Sequence, residues 1–466
     1  MFHFSLSSHA YPSVHFIGIG GVSMSGIAEL LHTKGYQITG SDRSENSHTR
    51  HLRSVGISIT IGQSADNIKD QSLFVYTDAI PMDNAELIAA RATGRPCVTR
   101  GQFLGALMRN YQHSIAVSGS HGKSTTTSII TKILLGAAAD STILLGGSLD
   151  EIGGNMRSGN SEYFLAEACE YKGNIRYYFP QLAIVLNIDE DHLDYYRDLD
   201  DIVDTFAAYM GNLSEDAKAI LNIDDENTRR LLGHVAHKAV TFGIDNDDAM
   251  YNAIHIVFDD LGHPSFDLRL PDGSLEPFHL GIIGRYNVYN SVAAIAATHQ
   301  TGLPIALIRQ GVENYRPLHR RMEIVGTFHD ATVMTDYGHH PKEIQSTLDA
   351  LSEHKPARLI CVFQPHTYSR TRTLMDQFAE SFYSADEVVV TEIMGAREID
   401  DGSVHATELV ERLLRNHVPA VYCKTFEDAE NYLAARVHYK DLILTTGCGN
   451  IDELAYQMAQ HRPALA

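Results

Sequence analysis

The sequence is poor in cysteine and has no long apolar run, and each absence excludes a class of protein. Its 466 residues include five cysteines, which are scattered and form no CxxC pair. We therefore expect buried thiols in a reducing cytoplasm rather than a disulfide framework or a zinc site. No run of about 20 apolar residues is present to span a membrane. The N-terminus lacks the basic and apolar regions of a secretory signal, so we expect a cytoplasmic protein.

Positive charge is also scarce. The chain has 37 lysine and arginine residues against 58 acids, a formal net charge of −21 at pH 7. This balance argues against a nucleic-acid partner. It does not exclude an anionic ligand, because backbone N–H groups and one or two cations build a phosphate site locally. The length is too great for one hydrophobic core and suits three domains.

Apolar segments and helical patterns alternate along most of the chain. This rhythm is typical of α/β domains with parallel sheets. We predict boundaries near residues 110 and 316, which give domains at 1–110, 111–316 and 317–466. A stretch richer in strands, from about 239 to 282, lies in the middle domain.

The segment VSGSHGKSTTTSII has an apolar lead-in, a glycine bend and a helical run. It fails the longer template G-x-x-x-x-G-K-[ST], because Val117 stands where that template needs glycine. The shorter loop still places free N–H groups and a positive helix end at the bend. Lys123 would bring charge to the outer phosphates, and Ser124 a hydroxyl to Mg²⁺. We predict a nucleotide site here; a glycine turn with a surface lysine is the alternative.

The N-terminal segment GIGGVSMSG resembles the dinucleotide fingerprint G-x-G-x-x-G, but Ser23 replaces the third glycine. Asp42 ends the next predicted strand, where an acid could hold a ribose hydroxyl. Three interpretations stay open: an NAD site, a nucleotide diphosphate at this helix start, and a structural turn.

Two predicted strands end in acidic segments, LAEACEYKGN and LNIDEDHLDYY. Ligands of α/β sheets gather at the carboxyl ends of strands, so both segments could face the phosphate loop. Glu167 and His192 are therefore candidate Mg²⁺ ligands. A surface histidine beside a solvated acidic loop is the alternative for His192.

Two later segments carry basic and polar side chains just after strands. FQPHTYSRTR contains His366, Arg370 and Arg372, and DYGHHP contains Asp336 and His340. Paired arginines suit carboxylates or phosphates, because each guanidinium forks onto two oxygens. A solvated basic turn is the alternative that spacing alone favours.

Taken together, these segments resemble the Mur ligase family, whose motifs occur in the same order. The match runs from about residue 14 to 455. It rests on GIGGVSMSGIAELL, GSHGKSTTT, AEACEYKGN, NIDEDHLDYY, GRYNVYNSVAAIA, RRMEIVG, DYGHHPKEI and FQPHTYSRTR.

The resemblance implies a Rossmann-like N-terminal domain, a central ATPase with a mostly parallel sheet, and a Rossmann-like C-terminal domain. It implies an ATP- and Mg²⁺-dependent ligase of peptidoglycan synthesis, a monomer or homodimer. This ligase would join L-alanine to the carboxylate of UDP-N-acetylmuramate through an acyl phosphate. A sister ligase that adds a tripeptide, an NAD-dependent oxidoreductase and a non-catalytic nucleotide-binding subunit stay open as alternatives.

The resemblance also implies roles by position. The catalytic residues would be Lys123, Glu167, His192, His340 and Arg370. The ATP contacts would be Gly119, Ser120, His121, Gly122, Lys123, Ser124, Thr125, Asn287, Arg321 and Asp336. The substrate contacts would be Gly18, Gly20, Gly21, Ser25, Asp42, His366 and Arg370. The metal ligands would be Ser124, Glu167 and His192. Tyr286 and Thr367 depart from the family, which often has His and Arg there.

Overall fold

Strands and helices alternate throughout the computed structural model. It describes residues 2–192, 195–259, 262–316, 319–353, 355–396 and 398–460. Within those ranges the strands form three sheets. No helix in them is long and apolar enough to cross a bilayer.

The first sheet is parallel and has five strands. They are β1 (Ser13–Ile17), β2 (Gln37–Asp42), β3 (Ser58–Ile61), β4 (Leu73–Tyr76) and β5 (Cys97–Thr99). Their order is β3-β2-β1-β4-β5, with β1 paired to β2 and β4. The order reverses at β1, and such a switch point opens the crevice in which α/β sheets bind ligands.

The second sheet has ten strands and is mostly parallel. They are β6 (His113–Ser118), β7 (Thr142–Leu149), β8 (Gly154–Arg157), β9 (Tyr163–Glu167), β10 (Leu182–Val185), β11 (Lys218–Asn222), β12 (Ala239–Gly243), β13 (Tyr251–Phe258), β14 (Pro264–Arg269) and β15 (Leu275–His279). Their order is β15-β14-β13-β12-β11-β10-β6-β9-β7-β8. Strand β6 lies between β9 and β10 and is parallel to both. The acidic segments that follow β9 and β10 therefore lie beside the loop that follows β6.

The third sheet has six strands. They are β16 (Glu323–Phe328), β17 (Ala331–Asp336), β18 (Leu359–Phe363), β19 (Glu387–Val390), β20 (Ala420–Tyr422) and β21 (Leu442–Thr446). Their order is β16-β17-β21-β18-β19-β20, parallel except for the pair β16–β17.

Helices follow most strands. In the first half they are α1 (Val22–Thr33), α2 (Ser47–Ser54), α3 (Ala85–Ala92), α4 (Arg100–Met108), α5 (Lys123–Gly136), α6 (Leu199–Met210), α7 (Glu226–Arg229) and α8 (Leu232–Val235). In the second half they are α9 (Arg285–Gln300), α10 (Ile305–Glu313), α11 (Pro341–Ser352), α12 (Tyr368–Thr373), α13 (Met375–Glu380), α14 (Ala406–Arg415), α15 (Phe426–Ala434) and α16 (Ile451–Gln460).

By residue contacts the chain divides into two compact units. The first comprises Met1–Ile254, Asp267–Phe278 and Tyr289–Tyr315; the second comprises His255–Phe266, His279–Val288 and Arg316–Ala466. One buried cluster in the first unit joins side chains of its first two sheets and their helices, including Phe16, Phe103 and Phe164. In the second unit a separate cluster packs the third sheet against α16.

The predicted α/β class, with mostly parallel sheets in three parts, is confirmed. The boundaries near 110 and 316 stay a prediction. Strand β1 ends at Ile17, directly before the first glycine of the GIGG segment. Gly18 has φ = 82°, a left-handed conformation in which a strand cannot continue.

Candidate functional site

The loop after β6 turns directly into α5. Gly119 (φ = 135°) and Gly122 (φ = 83°) both have a backbone that side chains rarely adopt. A Cβ at Gly122 would also lie 2.3 Å from Oδ1 of Asn290. The loop therefore needs both glycines, and it presents the N-terminal N–H groups of a 14-residue helix.

Lys123, the first residue of α5, turns its side chain back over this loop. Its Nζ donates to the carbonyls of Gly119 and Ser120 and lies 3.4 Å from Oε2 of Glu170. Burial would lower the pKa of Lys123, but nearby acids, Glu170 first, raise it above its ordinary value. The ammonium group of Lys123 is therefore a positive charge held in a fixed position over the loop.

Ser124 contacts an acid from a neighbouring strand. Its hydroxyl donates to Oε2 of Glu167 at 3.1 Å, and the N–H of Gly146 donates to Oε1 at 2.7 Å. A Cβ on Gly146 would lie 2.6 Å from Oε2, so β7 needs glycine there. The sequence predicts each of these residues as a Mg²⁺ ligand, and the structure brings their two side chains together.

The segment after β10 supports the loop from the other side. The N–H of His121 donates to Oδ1 of Asn187 at 2.8 Å, and the N–H of Asp189 donates to the hydroxyl of Ser120 at 2.8 Å. The imidazole Nε2 of His121 lies 3.5 Å from Oδ2 of Asp189. These contacts fix the backbone of the loop at its middle.

Glu170, Asp191 and His192 form a cluster that could hold a metal ion. One ligand atom of each lies within 4.8 Å of the others. Glu170 is buried, and His192 has a left-handed backbone with φ = 56°. Burial would lower the pKa of His192, but a hydrogen bond with Cys169 and the two acids raise it to about 9. A divalent cation binding here would therefore release a proton from the imidazole.

The first glycine loop, Gly18–Gly21, is held by the end of β2. The N–H groups of Gly18 and Ile19 donate to the carbonyl of Ser41 at 2.8 and 2.9 Å. The N–H of Gly20 donates to Oδ2 of Asp42 at 2.7 Å. Oδ2 of Asp42 therefore holds the backbone of the loop. A ribose hydroxyl could otherwise donate a hydrogen bond to the same oxygen.

Helix α1 begins at Val22, directly after this loop. Among the described residues no side chain caps it at Gly21, and its first turn contains no acid. Nη1 of Arg100 lies 3.4 Å from Oγ of Ser23 in that first turn. Burial would lower the pKa of Arg100, but Tyr178, Cys169 and Asp78 keep it raised. Ser25 points elsewhere, since its buried hydroxyl donates to the carbonyl of Val22.

The second unit contains the other predicted ATP contacts. Asp336 ends β17 and is buried; it accepts hydrogen bonds from the N–H groups of Gly338 and Met322 at 2.8 and 2.9 Å. Burial raises its pKa, and Arg321 opposes that rise. Nδ2 of Asn287 donates to the carbonyl of Ile283 at 2.8 Å.

His366 and Arg370 come together after β18. Burial, followed by the charge of Arg370, lowers the pKa of His366. His340 is buried at the start of α11. Thr367, which departs from the family, caps α12 because its hydroxyl accepts from the N–H of Arg370 at 3.4 Å. The threonine thus positions the helix that carries Arg370.

Sequence reasoning missed Glu170, Asp191, Asn290 and Arg100. Glu170 and Asp191 lie within the acidic segments that were singled out, but spacing along the chain did not distinguish them from their acidic neighbours. Asn290 and Arg100 reach their loops from helices far away in sequence, so only the fold identifies them.

Family models match three successive parts of the chain. The Mur ligase family catalytic domain matches residues 13–112, the Mur ligase middle domain matches 117–298, and the Mur ligase glutamate ligase domain matches 320–449.

Individual proteins match over nearly the whole length. A UDP-N-acetylmuramate–L-alanine ligase of Alkaliphilus metalliredigens is 41% identical, with 98% of this chain and 99% of that one covered. One from Clostridium novyi is 43% identical, with 94% and 95% covered. The crystal structure of UDP-N-acetylmuramate–alanine ligase from Thermotoga maritima superposes with a TM-score of 0.79 at 27% identity, with 96% and 98% covered. These matches and the geometry above agree: the chain belongs to the Mur ligase family.

Proposed function

We propose that this enzyme is an ATP-dependent ligase that joins L-alanine to the carboxylate of UDP-N-acetylmuramate in peptidoglycan precursor synthesis. The observation that carries the proposal is the glycine–lysine–serine loop beside Glu167 and the Glu170–Asp191–His192 cluster. The ligases named for this reaction, which match at about 40% identity, support the choice of substrates.

The three substrates are assigned to three domains. Residues 1–110 would hold the UDP-sugar, 111–316 ATP, and 317–466 the amino acid. The pyrophosphate of the sugar nucleotide would lie at the start of α1, where Gly21 leads into uncapped N–H groups and Arg100 adds a cation. Asn287, Arg321 and Asp336 remain proposed ATP contacts.

The acidic cluster fits Mg²⁺. Three carboxylates, Glu167, Glu170 and Asp191, stand around Lys123 and His192, and carboxylate oxygens are the ligands that Mg²⁺ prefers. Ser124, Glu167 and His192 remain proposed ligands, and Glu170 and Asp191 join them. When bound, Mg²⁺ would neutralise phosphate charge and orient the transferred group.

The reaction begins by bringing a carboxylate to a polyphosphate. Each pair of unit charges about 4 Å apart repels by about 4 kcal/mol at an effective dielectric of 20. Lys123 opposes part of this repulsion, because its ammonium is fixed over the loop by the carbonyls of Gly119 and Ser120. The loop N–H groups and the helix dipole of α5 act in the same direction.

Two bond exchanges follow. A carboxylate oxygen of the sugar bonds to the γ-phosphorus while the bond to the ADP oxygen breaks. The neutral amine of alanine then attacks the acyl carbon, and inorganic phosphate leaves. Arg370 and His340 would hold the alanine carboxylate. His366, whose pKa is lowered, is neutral near pH 7 and could accept the amine proton.

A phosphate-release screen of UDP-N-acetylmuramate with each of twenty amino acids and with a free tripeptide tests the proposal. We expect alanine to give the fastest release. Glycine and serine should be slow substrates, since one methyl or hydroxyl group discriminates by about 1–3 kcal/mol. Release that depends on the tripeptide and not on alanine would contradict the proposed substrate.

A further inference from the structure

A buried polar cluster lies next to the first glycine loop. None of its residues belongs to the proposed binding or catalytic sites. Glu86 on α3 has no exposed surface, and its Oε2 accepts a hydrogen bond from the hydroxyl of Ser41 at 2.8 Å. Its Oε1 lies 2.7 Å from Nε2 of His15, whose Nδ1 lies 2.7 Å from the hydroxyl of Thr39. Both carboxyl oxygens of Glu86 therefore have a partner.

A buried polar cluster of this kind contributes little to the folding free energy of a domain. Desolvating a carboxyl group is costly, and its hydrogen bonds only offset that cost. The surroundings are apolar: Leu87 next to it packs in a cluster with Ile17 and Phe74, and the ring of Phe74 lies 6.3 Å from that of His15. Apolar side chains of similar volume would fill the space at no such cost, so stability alone does not account for Glu86.

The cluster connects to the loop through Ser41. The hydroxyl of Ser41 binds Glu86, while its carbonyl accepts the N–H groups of both Gly18 and Ile19. Asp42, the next residue, holds the N–H of Gly20. Ser41 and Asp42 together therefore determine where three successive N–H groups of the loop point, and Glu86 holds the hydroxyl of Ser41.

We propose that Glu86 is a positioning residue for the sugar-nucleotide loop. It holds Ser41, so that the end of β2 sets the loop and leaves the start of α1 clear for the pyrophosphate. The inference rests on the proposed function, because the ligand is the UDP moiety of that substrate. Glu86 makes no contact with the ATP loop in the hydrogen bonds of the described residues, so its effect should be confined to one substrate.

Glu86→Gln tests this, with Leu87→Ala as the matched control on the same helix. Gln keeps the shape but cannot accept from both partners, whereas the control removes buried apolar contacts only. We expect calorimetry to show the Kd for UDP-N-acetylmuramate rising about 10-fold in Glu86→Gln, the scale of one hydrogen bond to a charged group. We expect kcat at saturation and the KM for ATP to stay unchanged, and Leu87→Ala to lower Tm without changing that Kd.

Ser41→Ala provides a second variant if Glu86→Gln does not fold, because it deletes one hydroxyl and keeps the carbonyl that holds the loop. It should raise the same Kd in the same direction. Unchanged sugar-nucleotide affinity in a folded variant overturns the inference, as does an equal rise in Leu87→Ala. A wild-type chain that does not bind UDP-N-acetylmuramate overturns the proposed function and this inference together; binding by the wild type with no loss in either variant overturns this inference alone.

Discussion

The chain contains two strand–glycine loop–helix segments that share one scaffold and differ in chemistry. In the first, between β1 and α1, the loop N–H groups bind Ser41 and Asp42, and the loop itself carries no lysine. In the second, between β6 and α5, Lys123 and Ser124 follow the glycines, and acids from neighbouring strands surround them.

This difference matches two different tasks, which are binding a phosphate group and transferring one. The start of α1 and Arg100 supply fixed donors, which are sufficient to bind a diphosphate that does not react. Transfer of a phosphoryl group also needs charge that compensates the approach of a second anion. Only the second of these two loops combines a half-buried lysine with a cluster of carboxylates, so the two loops should respond differently to the same kind of substitution.

The largest expected effect is that of Lys123→Ala. Removing this ammonium should lower turnover by about 10³-fold, since no other cation in the described loop replaces it. The Kd for UDP-N-acetylmuramate should change by no more than about twofold, because we propose that the sugar nucleotide binds at the other loop. Phosphate release and calorimetric titration measure the two. Lys123→Arg, which keeps the charge, controls for folding, and equal loss of both functions in Lys123→Ala would contradict the separation.

A smaller effect is expected for Glu170→Gln. This change removes one negative charge from the acidic cluster and should raise the Mg²⁺ concentration for half-maximal activity by about 10–100-fold. A magnesium titration of the rate measures it. Glu151→Gln, at an exposed ion pair with Lys132, should leave the requirement unchanged. Chelation of metal should also leave sugar-nucleotide binding intact, and a metal-dependent Kd would contradict the contrast between the loops.

Two adjacent glycines of the first loop should differ in their tolerance of a methyl group. A Cβ on Gly20 would lie 2.8 Å from both Oδ2 of Asp42 and Nδ2 of Asn46, whereas one on Gly21 meets nothing nearer than 3.9 Å. Gly20→Ala should therefore raise the Kd for UDP-N-acetylmuramate by about 10-fold, while Gly21→Ala stays near the wild type. Similar titrations for the two variants would show that Asp42 does not shape the loop.

The smallest effect is expected for Ser120→Ala. The hydroxyl of Ser120 accepts the N–H of Asp189, and a lost hydrogen bond of this kind costs about 1 kcal/mol. The KM for ATP should rise by about fivefold with sugar-nucleotide affinity unchanged. Steady-state kinetics with each substrate varied in turn will measure this, and an unchanged KM for ATP would mean that the segment after β10 does not support the loop.

The sequence predicted the parts of the molecule that depend on local pattern. The strand–loop–helix around Lys123 is local, because an apolar run, two glycines and a helical run determine it together. Strands β2, β9 and β10 were also predictable from local pattern. Their apolar residues are followed by polar or acidic ones, at Asp42, at Glu167 and in the LNIDEDH segment respectively.

Contacts between distant segments could not be predicted. Glu170 reaches Lys123 because β9 pairs with β6, and no spacing within LAEACEYKGN reveals which acid turns inward. The antiparallel pair β7–β8 was missed, since its glycine-rich sequence around Gly146 has no period of two. Glu86 and Arg100 were missed because their partners come from other elements.

Oxygen-18 in the carboxyl group of UDP-N-acetylmuramate gives the most direct measurement of the reaction. If the carboxylate is phosphorylated before the amine attacks, one labelled oxygen from each turnover must leave with inorganic phosphate. Mass spectrometry of the phosphate released with alanine and ATP should then show one oxygen-18 per molecule, with the other retained in the new amide. Unlabelled phosphate at full turnover would contradict the acyl phosphate and, with it, the role assigned to the Lys123 loop.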